Sequence, residues 1–70
     1  MSYASVVEAR LKEAAEKAQA KDFEGALKIY DSILEDNHDN INALNGKARV
    51  LSWMGNYIDA KDIYNEALSK

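Results

Sequence analysis

Seventy residues form one small domain that buries only about 60% of the surface its unfolded chain exposes, so the core must be used economically. A composition of 47% hydrophobic and 30% charged residues belongs to a folded chain, and a net charge of −3 excludes the clustered basic face that nucleic acid requires. The chain has no cysteine, which rules out disulfides, thiolate zinc sites and a thiol nucleophile, and no apolar run of the roughly 20 residues that would span a bilayer; a cytosolic home is expected.

Proline is absent and glycine occurs only at positions 25, 46 and 55, while Ala, Leu, Glu and Lys are plentiful, so the expected class is all-α. A first helix is predicted from Ser5, where Ser5 and Glu8 have the spacing of a capping box, to about Ala20, with Val7, Leu11, Ala14 and Ala18 on its buried stripe. Asp22 is the expected N-cap of a second helix, Phe23 to Glu35, whose Phe23, Ala26, Leu27, Tyr30, Ile33 and Leu34 recur at intervals of three and four. The polar run from Glu35 to Asn40 reads as a loop. A third helix follows from Ile41 through Leu44, Ala48 and Leu51 to Met54, and Gly55 supplies the left-handed residue that ends it. Asn56 is expected to cap a fourth helix, Tyr57 to about Ser69, with Ala60, Tyr64, Ala67 and Leu68 on its stripe.

Sliding the chain along itself by 34 residues lays Phe23 on Tyr57, Ala26 on Ala60, Ile29 on Ile63, Tyr30 on Tyr64, Leu34 on Leu68, Ala9 on Ala43 and Ala14 on Ala48. Such a fixed period marks a solenoid in which each helical hairpin buries its neighbour's face. On these residues, and above all on Leu44, Ala48, Leu51, Gly55, Tyr57, Ala60, Tyr64, Ala67 and Leu68, the chain from about Val7 to Lys70 resembles the tetratricopeptide repeat family. The resemblance implies two antiparallel hairpins stacked as a short right-handed solenoid, with one unit over about 7–40 and the other over about 41–70. Three positions depart from the pattern: His38 stands where a proline is usual, Lys17 replaces an apolar residue and Lys21 replaces the glycine of the hairpin turn.

Chemistry for catalysis is missing. His38, the only histidine, sits in a polar loop without an obvious partner, and the run Asp36, Asp39, Asn40 lacks the glycine and bidentate glutamate of a calcium loop. Glu13 and Glu16 lack the Glu-x-x-His pairs of a di-iron bundle. Neither an enzyme nor a metal or cofactor is expected.

The resemblance implies instead that the first helix of each unit lines a concave face for a peptide or partner protein. In the second unit that face carries Asn42, Asn45, Arg49, Ser52 and Trp53, of which Asn45, Arg49 and Trp53 stand four residues apart. The matching stripe of the first unit, Glu8, Leu11, Lys12, Ala15 and Gln19, is bland. Arrays of this kind normally need at least three repeats and a covered end. The last helix is therefore expected to leave Ile58, Ile63 and the edge of Tyr64 exposed. Self-association, most simply into a symmetric dimer, a partner that caps the stack, or a place in a longer repeat array would cover them, with self-association favoured; the alternative function is then a self-assembling repeat module.

Overall fold

Helix formers without an interior proline leave the backbone little reason to break except at the polar and glycine positions. The structure, a computed structural model, describes residues 3–70, with side chains from Ser5 onward. Among the described residues it holds four helices: α1 (Tyr3–Gln19), α2 (Phe23–Asp36), α3 (Ile41–Trp53) and α4 (Tyr57–Leu68). Helix α1 begins two residues before the predicted start, so Ser5 lies inside its first turn and the Ser5–Glu8 pair does not mark its N-terminus. Asp22 caps α2 as expected, its Oδ1 accepting from the Gly25 amide at 3.0 Å, and Asn40 caps α3 the same way from the Ala43 amide at 3.0 Å. Asn56 occupies the N-cap of α4, but its side chain makes no capping bond.

Both hairpin turns use one device, a crossed pair of backbone bonds that satisfies the last carbonyls of the helix. Lys21 donates to the Ala18 carbonyl at 3.0 Å and Asp22 to Lys17 at 2.8 Å; 34 residues on, Gly55 donates to Ser52 at 3.0 Å and Asn56 to Leu51 at 2.8 Å. The residue at the bend must be left-handed, with φ 88° at Gly55 and 67° at Lys21. Glycine adopts that conformation freely, whereas a lysine carries the strain of its Cβ.

Helices α1 and α2 pack as one hairpin and α3 and α4 as another; α2 and, more lightly, α1 lie against α3, and α4 packs on α3. The result is a flat body of 37 × 30 × 14 Å. Its main core joins Ala14 and Ala18 of α1, Ala26, Tyr30 and Ile33 of α2, and Ala43 and Val50 of α3. A smaller cluster of Ala48, Leu51 and Ala60 closes the second hairpin, and Leu27 touches both. Alanine at Ala14, Ala26 and Ala48 lets backbones approach closely, and each is fully buried. Ion pairs tie the elements together: Lys47 to Asp31 at 2.6 Å between α3 and α2, Lys70 to Asp39 at 2.8 Å, and Arg10 of α1 to Asp36 of α2 at 4.0 Å, with Arg10 also donating to the Ser32 hydroxyl.

Two expectations for α4 need correction. Leu68, assigned to the buried stripe, is 84% exposed: its counterpart Leu34 packs against the main core, whereas none of the described residues covers Leu68 on the outer side of α4. Ile63, expected to be exposed, is half-buried against the Ala48–Leu51–Ala60 cluster, because it faces back toward α3.

Candidate functional site

The 3.6-residue period sets Ala15 and Gln19 on one face of α1, and Asn45, Arg49 and Trp53 on one face of α3. Because both helices pack on α2, these faces meet over Tyr30 and form a groove. Its floor is Ala18, Gly46 and Val50 with the Tyr30 ring, and its walls are Ala15 and Gln19 on one side and Arg49 and Trp53 on the other. The groove continues at the lower end of α1 into an apolar notch between Trp53, Phe23, Ala18, Gln19 and Lys21.

Trp53 is 52% exposed, and its ring lies 6.3 Å from that of Phe23, tilted by 40°. About half of the residue stays open beside this contact and can serve as an apolar platform. Arg49 is exposed and, among the described residues, makes no ion pair, in contrast to Arg10, Lys17, Lys47 and Lys70. Its guanidinium is therefore available to grip a carboxylate in a two-pronged hydrogen bond. Burial raises the pKa of the Tyr30 hydroxyl above a phenol's ordinary value, and the Arg49 charge works against that rise. Tyr30 thus stays neutral as part of the floor.

Of the residues expected to form the site, Arg49 and Trp53 share the groove, while Asn42, Asn45 and Ser52 do not line it. Asn42 is exposed, and Asn45 and Ser52 are half-buried. Sequence reasoning passed over Gly46, Phe23 and Lys21. Ala15 and Gln19 appeared on the matching stripe of the first unit but carry no chemistry that distinguishes them from ordinary helix surface.

Gly46 has a definite reason. An ideal Cβ there would lie 2.6 Å from the Tyr30 hydroxyl oxygen and would overlap ring carbons Cζ and Cε1. Only glycine lets the α3 backbone rest on the Tyr30 ring, and that close approach sets the depth of the groove. The signal in the sequence was a glycine in a helix interior, where it costs about 1 kcal/mol relative to alanine and needs a packing reason.

Elsewhere, a shallow hollow runs over Gly55 to Asp59 beside the α3–α4 turn, including Ile58, which is 80% exposed. Tyr64 is 39% exposed on the outer side of α4. Among the described residues no three His, Cys, Asp or Glu side chains gather as a metal would require, and no helix is long and apolar enough to cross a membrane.

An all-helical array of stacked hairpins, with a groove between the first helices of its two units, defines a helical-repeat protein. A family model for the tetratricopeptide repeat matches residues 17–70, and the chain belongs to that family. The match takes in the end of α1 and all of α2, α3 and α4. Comparison with curated proteins and with solved structures gives no match.

Proposed function

We propose that the chain is a protein-interaction module that takes an extended peptide segment in the groove between α1 and α3 and carries out no catalysis. The observation that carries this reading is the juxtaposition, over an alanine and glycine floor, of an arginine that makes no ion pair among the described residues and a half-exposed tryptophan. The arginine offers a directional charge contact and the tryptophan an apolar one, and both residue types are enriched where protein contacts are energetically strongest. Gln19, on the opposite wall, adds an amide that can bond a peptide backbone.

The family supports the same kind of activity, since its members are in general scaffolds for other polypeptides. Peptides selected by display against the intact chain test the reading, with the fluorescence anisotropy of a dye attached to the peptide as the signal. Selected peptides are expected to bind Arg49→Ala and Trp53→Ala variants at least tenfold more weakly, about 1.4 kcal/mol. Undiminished binding by both variants would place the peptide elsewhere and overturn the groove reading.

A further inference from the structure

The floor of the groove holds a polar atom that the fold itself does not use. Tyr30 is 5% exposed, yet among the described residues its hydroxyl makes no hydrogen bond. No side-chain oxygen or nitrogen among those residues is both fully enclosed and unbonded, so this hydroxyl must open into the groove that its ring lines. Gly46 leaves it uncovered, since a Cβ at that position would lie 2.6 Å from the oxygen. A hydroxyl held this deep without a protein partner is costly, and it offers a hydrogen bond to whatever enters.

The surroundings of that hydroxyl are one-sided in charge. Arg49 and Gln19 stand on opposite walls of the same floor, and the Arg49 charge is felt at the Tyr30 oxygen. Groove and notch together are lined by two cations, Arg49 and Lys21, and by no carboxylate, although the chain as a whole carries −3. A guanidinium can only donate, and a neutral phenol and an amide can both donate as well, so the three groups suit an anionic acceptor. Size narrows the choice. The space over the floor is about 40 Å³, and since roughly 10–15 Å³ admits one water, it takes a group of about three non-hydrogen atoms, which is a carboxylate. A peptide main chain, with its Cα and amide groups, is too wide to descend there, so the carboxylate must arrive on a stem of methylenes.

We infer that this niche takes the side-chain carboxylate of a glutamate within the groove's peptide, with the Tyr30 hydroxyl and the Arg49 guanidinium donating to it. The inference rests on the groove reading and adds its selectivity. The glutamate's methylenes have Ala15, Ala18 and Val50 to pack against on the way down. The apolar notch sets a second requirement. Arg49 and Trp53 are one helical turn apart, about 6 Å along α3, and an extended chain covers that distance in two residues, which also returns its side chains to the same face. A large apolar side chain two positions from the glutamate therefore lands on Trp53 and Phe23.

The test is a display selection of random linear peptides, fused to their carrier through the C-terminus so that no free chain end is offered to the intact chain. Selected peptides, made with blocked ends and a dye, are expected to share a glutamate with a large apolar residue two positions away. Replacing that glutamate by glutamine should weaken binding roughly tenfold, and Tyr30→Phe in the chain should do the same with helicity unchanged. The two changes together should cost little more than either alone, a coupling that groups in direct contact show and a purely structural tyrosine does not. Peptides that lose affinity for Trp53→Ala but share no glutamate, or that bind the Tyr30→Phe chain as tightly as the wild type, would refute the niche and leave the groove reading standing. Binding that tolerates glutamine and strengthens when the peptide's C-terminus is freed would give the niche to a chain end, against the inference. A selection that yields no binder, or binders indifferent to both Arg49→Ala and Trp53→Ala, would remove the groove reading and the niche with it.

Discussion

Gly46→Ala sets two effects of known size against each other. Alanine is favoured over glycine in a helix interior by about 1 kcal/mol, so an exposed site would gain stability. Here the new methyl meets Tyr30 Cζ, Cε1 and Oη, with the hydroxyl oxygen only 2.6 Å from the ideal Cβ position. Tyr30 is 5% exposed and wedged among Ile33, Ala43 and Val50, so its ring cannot swing aside without moving the α2–α3 contact. Forcing a methyl into such packing costs roughly 1–3 kcal/mol, and overlap with two ring carbons and the hydroxyl oxygen argues for the upper half of that range. The net loss is then about 1–2 kcal/mol, with each kcal/mol lowering Tm by roughly 4–8 °C in a domain of this size. Thermal unfolding followed by circular dichroism measures it. In a Tyr30→Leu background the ring end is gone, so the same Gly46→Ala change should become stabilising by up to about 1 kcal/mol. A neutral or stabilising effect in the wild-type background would refute the close approach as the reason for the glycine.

Lys21→Gly should stabilise the chain by about 1 kcal/mol, since it relieves a left-handed lysine at φ 67° in a turn where Gly55 already does the same work; chemical unfolding of the two chains compares them. Asp22→Ala removes a cap bond of 3.0 Å and a partner of Lys17 at 3.6 Å, and should cost about 1 kcal/mol, whereas Asn56→Ala, which removes no cap bond, should cost much less in the same assay. The folded chain holds the Tyr30 hydroxyl pKa above its unfolded value, so above a phenol's ordinary value of about 10 the folded state keeps a proton that the unfolded state has lost. Stability should therefore fall as pH rises through that window, and Tyr30→Phe should flatten the fall in pH-dependent urea unfolding.

Helix α2 illustrates why much of the architecture could be read from the chain. Its stripe of Phe23, Ala26, Leu27, Tyr30, Ile33 and Leu34 and its cap at Asp22 are local patterns, set by 3.6 residues per turn and by the reach of one side chain to the third amide beyond it. The 34-residue offset is likewise a property of the string, and it carried the repeat without reference to any distance. The same locality misled at Ser5, where a capping-box spacing is present but the helix had already begun at Tyr3.

The groove was legible only in part. Arg49 and Trp53 could be singled out because their residue types are informative, but Gln19, Ala15 and Phe23 acquire meaning only when α1 and the start of α2 are brought beside α3. That juxtaposition depends on how closely helices distant in sequence approach, and the approach is set by Gly46 under Tyr30, a contact between residues on two different elements. Leu68 and Ile63 make the same point at the other end of the molecule. Their types and periodicity are those of residues packed between helices, yet one is open and the other half-covered, because burial depends on which neighbour is present. The sequence by itself determined the four helices, their turns and their repeat, since each follows from interactions within a few residues; the tertiary structure alone decided the depth of the groove, the company of Arg49 and Trp53, and the open face of α4, since each follows from the packing of one helix against another.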